Sequence, residues 1–163
     1  MKKSLKSSDR DAYLKKLISQ VQDEKIRDYI QERIMEQMQW YSAKSADFKK
    51  RYHRLTMISV MLSASIPIIS IFTDGSLATK AIVAALGSAV TAISAYLSLK
   101  KYADLWRIYR NTRESLLRIL YAYFYDAGIF ASVDIQSKKD VLFVEACEET
   151  LSNESNQWLS TWR

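Results

Sequence analysis

Residues 55–73 read LTMISVMLSASIPIISIFT and residues 81–99 read AIVAALGSAVTAISAYLSL, and these two stretches decide the fold. Each runs for nineteen residues without a charged side chain. A helix of about 20 mostly apolar residues crosses the hydrocarbon core of a bilayer. Asp74, Gly75 and Ser76 interrupt the pair; a glycine suits the end of the first helix and a serine the N-cap of the second. The reading is a two-helix transmembrane hairpin, with spans at 55–73 and 77–99. The competing reading is a soluble protein with two buried core helices. It asks a chain of 163 residues to cover two helices that are apolar all round, which a small domain has too little surrounding mass to do.

The flanks set the orientation. Lys44, Lys49, Lys50, Arg51 and Arg54 precede the first run, and Lys100, Lys101, Arg107, Arg110 and Arg113 follow the second, whereas only Lys80 lies near the turn. Basic residues stay on the cytoplasmic side, so both termini are expected inside the cell, in the plasma (inner) membrane of a multi-pass protein. The net charge of +6 is placed unevenly: residues 1–54 hold 14 basic against 8 acidic side chains, and residues 100–163 hold 9 of each. The excess lies against the membrane, where anionic headgroups attract it; lipids are the partner this pattern implies, and nucleic acid is not.

Outside the spans the pattern remains helical. Three Gly and one Pro leave little punctuation, and the fold class is all-α. Ile26, Ile30, Ile34, Met38, Tyr41, Ser45, Phe48, Tyr52 and Leu55 step by three or four, predicting one cytoplasmic helix over 25–54 that runs straight into the first span. Leu105, Tyr109, Thr112, Leu116, Ile119 and Tyr123 carry the second span on through 100–127, where Gly128 can end it. Ser137 opens a last helix over 137–158, whose weaker inward face is Val141, Val144, Glu148, Leu151 and Trp158. A short amphipathic helix from Asp9 to Gln22, within residues 1–24, comes first. The whole is a helical bundle continuous with the hairpin, so that residues 25–163 form one domain. Aromatics gather at the junction: Trp40, Tyr41, Phe48 and Tyr52 on one side, Tyr96, Tyr102, Trp106 and Tyr109 on the other. Those nearest the spans suit an interfacial belt, while Trp40 and Trp106 suit packing between cytoplasmic helices.

Within the first span Thr56, Ser59, Ser63, Pro67 and Ser70 share one stripe that points toward Asp74, and Pro67 removes the partner of the Ser63 carbonyl, which predicts a kink. Within the second, Ala81, Ala84, Ala85, Ser88, Ala92 and Ala95 form a face small enough for close helix approach, with Gly87, Thr91, Ser94 and Ser98 nearby. Small and hydroxyl residues are common glue between membrane helices, so one reading is packing alone. The other is that the first-span stripe lines a pore. Two helices cannot enclose a channel, so a pore requires a homo-oligomer. No charge lies within either span, which argues against a proton relay or coupled transporter.

Taken in order, Tyr29-Ile-Gln-Glu-Arg33, Gln37-Met-Gln-Trp40-Tyr41 with Lys44, Ile66-Pro67, Trp106-Arg107-Ile-Tyr109-Arg110, Arg113-Glu114-Ser-Leu116, Ala127-Gly128, Phe143-Val-Glu145, and Glu154 before Trp158 resemble the SLATT superfamily of bacterial two-transmembrane proteins, in an uncharacterised branch. The resemblance implies a membrane effector or pore former, triggered by a neighbouring sensor protein, with no enzymatic activity. Arg110, Arg113 and Glu114 on the second long helix are the residues singled out, with Glu145, Glu149 and Glu154 on the last helix as partners. Opposite charges facing across a bundle would form an ion network that fixes register. An anion or nucleotide site using Arg107, Arg110 and Arg113 is the alternative, favoured if the arginines outnumber their acidic partners locally.

Motifs of chemistry are otherwise missing. Cys147 is the only cysteine and His53 the only histidine, so neither a disulfide framework nor a metal site is expected. Glu145, Glu148 and Glu149 surround Cys147 with charge that raises a thiol pKa. Three glycines leave no phosphate-cradling loop. The expectation is no enzyme and no cofactor. Two functions from different classes follow: a homo-oligomeric channel lined by the first span, or a membrane-anchored scaffold whose cytoplasmic bundle recruits a partner or senses a ligand.

Overall fold

A computed structural model describes residues 7–71 and 75–161, with side chains placed for residues 12–71 and 75–155. The predicted turn residue Asp74, the end of the first apolar run at 72–73, and the Trp158 side chain lie outside the described residues. The described residues form helices without a strand. They are α1 (Ser7–Ile18), α2 (Glu24–Asp28), a π-helical segment (Tyr29–Met35), α3 (Glu36–Ile71), α4 (Leu77–Lys100), α5 (Tyr102–Phe124), a 3₁₀ turn (Gly128–Phe130) and α6 (Gln136–Thr161). Two helical stretches among them are long and apolar enough to cross a membrane, and neither apolar window is buried.

The first long stretch is continuous from Glu24 to Ile71, but it is not all α. Asp23 caps it, its carboxylate accepting the backbone N–H groups of Lys25 and Ile26. The π segment has a cause that the sequence carries. Ile26, Ile30, Ile34 and Met38 are spaced four, four and four. In an α-helix of about 3.6 residues per turn, three steps of four carry a stripe about 120° off its starting line. Opening the turn to i→i+5 bonding takes up that drift. Ile30, Ile34 and Met38 therefore stay on the core side, at 0%, 0% and 3% exposure. Pro67 sits inside α3, which continues through it.

The other long stretch departs from the predicted continuous helix over 77–127. It breaks at Lys101, whose φ of 47° and ψ of 34° put a non-glycine residue in the left-handed region. Lys101 closes α4 through its N–H to Leu97 O, and its own carbonyl accepts from Asp104 and Leu105 to start α5. The break turns α5 onto α3 below the hairpin. At the other end Gly75 has a φ of 78°, and the Ser76 hydroxyl accepts the Thr79 N–H, the expected cap.

The core lies wholly in the part outside the apolar arms. Ile30, Ile34, Met38 and Tyr41 meet Leu116, Leu117, Leu120 and Tyr123 of α5, with Phe143 and Cys147 of α6 closing the third side. Leu14 and Ile18 tie α1 to the same cluster. The α3–α5 junction is an aromatic ladder: Trp40–Tyr109 at 5.5 Å, Phe48–Tyr109 at 5.8 Å and Phe48–Tyr102 at 5.7 Å between ring centres. Ring pairs at such separations contribute beyond the area they bury.

Candidate functional site

The hairpin is where the first-span stripe can be placed. α3 packs on α4 along a seam of Leu55, Leu62, Ile66 and Ile69 against Val83, Leu86, Val90 and Ile93, all half-buried. The stripe divides on this seam. Thr56 and Ser59 are half-buried at its edge, whereas Ser63, Pro67 and Ser70 are exposed on the flank. The small-residue face of α4 is exposed at all six positions, Ala81, Ala84, Ala85, Ser88, Ala92 and Ala95. It therefore lies on the side of α4 away from α3, because the branched residues take the seam. Several hydroxyls are satisfied by their own helix: Ser70 Oγ donates to Ile66 O at 2.9 Å, Ser88 Oγ to Ala84 O at 2.9 Å and Thr91 Oγ1 to Gly87 O at 3.0 Å.

Where α4 ends, the seam opens. Thr56 and Ser59 on α3 and Ser94 and Ser98 on α4 line a cleft of about 500 Å³, with Tyr52, Lys101 and Asp104 at its outer end. The left-handed turn at Lys101 makes this opening, since it sends α5 off the line of α4. Thr56 Oγ1 is buried there without a hydrogen-bond partner. The cleft brings two of the five stripe residues, Thr56 and Ser59, together with serines from the other arm, and Lys101 is the residue that sequence reasoning missed. A lysine carries no signal for a left-handed conformation, which most often falls to glycine or asparagine.

The second group of singled-out residues is distributed over two faces. Arg110, Arg113 and Glu114 line a groove against α3, where Arg113 Nη1 meets Glu114 Oε1 at 3.0 Å. Glu145 and Glu149 are exposed on α6, and Glu145 borders a separate depression with Ser137, Lys138 and Val141. The acids that hold α6 to the bundle are Glu148, which the sequence did not single out, and Glu154, which it did. Glu148 receives Arg33 through two bonds, Nε at 3.3 Å and Nη2 at 3.2 Å, and Tyr29 Oη at 3.0 Å. Glu154 accepts Tyr41 Oη at 3.2 Å. Tyr29 and Arg33 both lie in the π segment, so the widened turn aims this clamp. The Arg33 guanidinium holds the Glu148 carboxyl below the ordinary carboxylate range, against an opposing burial effect, with the Tyr29 bond pulling the same way as Arg33. Burial pushes the Glu154 carboxyl up, opposed by its bond from Tyr41.

At the far end of the bundle, Asp140 is buried and accepts Tyr123 Oη at 2.6 Å and Gln136 Nε2 at 2.7 Å, while Lys139 lies over the Tyr123 ring and reaches Asp126 at 2.6 Å. Every member has a partner, the arrangement that makes buried polar groups tolerable. Cys147 is buried, and burial pushes its thiol up to about 12, with Glu148 adding to the rise. A thiol so shifted is almost entirely protonated at neutral pH and is a poor nucleophile. Among the described residues no group of three or more His, Cys, Asp and Glu is placed to hold a metal ion.

These features define an all-helical protein with two long apolar candidate spans. Residues 36–138, more than half of the chain, match the family described as "Protein of unknown function (DUF4231)", and the chain belongs to that family. No curated protein and no solved structure matches it.

Proposed function

We propose that the chain is a two-span protein of the plasma (inner) membrane, both ends cytoplasmic, that assembles with copies of itself into an ion-conducting pore. The observation that carries this reading is the hydroxyl-lined cleft between the arms, at the level where the apolar runs begin. An opening of this size, with hydroxyls on both walls beside Val60 and Leu97, is where water and ions would enter at the mouth of a membrane hairpin. Two further features support it. The apolar windows of both arms are uncovered, and the small-residue face of α4 points away from α3, where a neighbouring copy can pack closely. Oligomerisation would then bring several α3 flanks, with Ser63, Pro67 and Ser70, around an axis. The order of its motifs resembles that of the SLATT superfamily; that membership, with a neighbouring sensor protein as trigger, belongs to the same proposal.

Reconstituted single-channel recording, with oligomer mass taken on the same sample, is the test. Discrete current steps that disappear in a Ser59→Leu, Ser94→Leu double variant of unchanged oligomer mass would support the pore. Unchanged steps would remove the cleft from the conduction path, and silent bilayers from an intact oligomer would move the reading to the second function. That function is a membrane-anchored scaffold, favoured by the confinement of the core and of the α6 clamps to the cytoplasmic bundle.

A further inference from the structure

We propose that the groove between α3 and α5, beyond the hairpin, is an anion site suited to a phosphate group. Ser42, Ser45 and Lys49 line it from α3, and Arg110, Arg113 and Glu114 from α5, around a volume of about 260 Å³. The spacings explain the convergence. Ser42, Ser45 and Lys49 step by three and four, and Arg110 and Arg113 by three, so each set shares one helix face.

Charge decides what the groove would hold. Three cations meet one carboxylate, and that carboxylate is already engaged by Arg113. Asp47, the acid nearest Lys49 in sequence, is taken by Arg51 at 3.0 Å. Arg110 is exposed and makes none of the ion pairs of the described residues. Positive charge is thus left over, beside the Ser42 hydroxyl, while the Ser45 hydroxyl donates to Trp106 O at 3.1 Å and ties the two walls together. Lys49 lies over the Trp106 ring at 5.7 Å, and the Trp106 indole N–H is buried without a hydrogen-bond partner, one turn before Arg110. A guanidinium presents a planar fork that matches phosphate oxygens, and such charge-assisted bonds are about twice as strong as neutral ones. The Glu114 contact holds Arg113, whose side chain is 14% exposed, in place.

A lipid headgroup and a soluble phosphate compound share this chemistry, and height separates them. Along the unbroken α3, Lys49 lies six residues before Leu55, about 9 Å, and Ser45 ten residues before it, about 15 Å. The headgroup zone of one leaflet is only about 5–8 Å thick. The groove opens above it, which favours a soluble phosphate-bearing ligand. This inference needs the membrane placement of the arms only to tell the two sources apart, and it does not depend on whether the arms conduct.

The test uses the full chain in nanodiscs of phosphatidylcholine, titrated with inorganic pyrophosphate in a calorimeter at constant ionic strength. Saturable binding is expected, weakened about ten-fold or more by Arg110→Gln and less by Lys49→Gln. Glu114→Gln should not weaken it, and Arg118→Gln, exposed and outside the groove, should leave it unchanged. Arg110 is exposed and unpaired, so its variant keeps the fold, and an unchanged melting curve verifies that. Repeating the titration in discs that also contain phosphatidylglycerol separates the sources. Equal affinity in both discs supports a soluble ligand. Competition by phosphatidylglycerol that Arg110→Gln relieves supports the same site with a headgroup in it. Absent binding in both discs, or equal binding by wild type, Arg110→Gln and Lys49→Gln, would overturn the proposal.

Discussion

Every buried side chain described lies either before residue 42 or after residue 101, and the intervening hairpin contains none. The two regions are nonetheless made by one pair of helices, α3 leading into the hairpin and α5 leading out of it. In the bundle, apolar residues occupy one stripe and are covered by other parts of the chain. In the hairpin, apolar residues go all round each helix, and only the mutual seam is covered. The hydrophobic effect therefore joins residues to each other in the bundle, whereas in the hairpin most of the apolar surface is left uncovered by the described residues. Under the proposed function, lipid or another copy of the chain covers it.

The largest effect expected from this contrast is on the bundle. Phe143 is fully buried and lies 4.5 Å from the Tyr123 ring and 6.2 Å from Tyr29. Phe143→Ala should cost about 3–5 kcal/mol, read as a lower thermal midpoint of tertiary circular dichroism in detergent. Ile68→Ala, at an exposed hairpin position, should stay within about 0.5 kcal/mol in the same assay. Comparable losses would mean that the hairpin contributes to a shared core.

Next in size is the association of hairpins that the proposed assembly requires. Leucine at Ala84 and Ala92 together would overfill a close helix contact, at roughly 1–3 kcal/mol. The expected outcome is a lower oligomer mass in nanodiscs with an unchanged bundle melt. An oligomer of unchanged mass would assign the exposed small-residue face of α4 to lipid instead.

How much of this could be read in the sequence divides along the same line. The apolar runs announced two long helices because length without charge is a one-dimensional property. The buried stripe from Ile30 to Tyr41 was legible by its spacing, and its repeated steps of four also carried the π segment, although they read as ordinary helix. Two things were not legible. Which face of α4 turns to α3 depends on competition between Val83, Leu86 and Val90 on one side and six small residues on the other, which periodicity does not rank. Of the expected Glu145, Glu149 and Glu154, only Glu154 bonds across the bundle among the described residues, to Tyr41, and the Glu148 clamp depends on the wide turn that aims Tyr29 and Arg33 at it.

The junction between the regions gives a third test. Lys101 adopts a left-handed conformation that costs a non-glycine residue about 1–2 kcal/mol. Lys101→Gly should raise the bundle's stability by up to about 1 kcal/mol, partly offset by glycine's greater freedom in the unfolded chain. A destabilised Lys101→Gly protein would show that the lysine side chain, rather than the turn, secures the junction.

The smallest effects lie on α6, where two glutamates respond to pH with opposite signs. Glu148 has a depressed folded-state pKa, so its contribution is present above the ordinary carboxylate value and is lost as pH falls through the depressed one. Its pair with Arg33 is nearly half exposed on both sides, which limits the loss to about 1 kcal/mol or less. Glu154 has a raised pKa, so its protonated form suits the fold better, and acidification through that raised value adds stability. Lowering the pH from neutral should therefore first relieve Glu154 and only later release Glu148. Stability of Arg33→Ala measured against pH should lose the acid-side fall and keep the gain. In Glu154→Gln, which can still accept the Tyr41 bond without a charge, the gain should vanish and the fall remain. If both variants track the wild type across the range, the clamps on α6 hold by packing alone, and the bundle's third helix is secured by Phe143 and Cys147 rather than by its carboxylates.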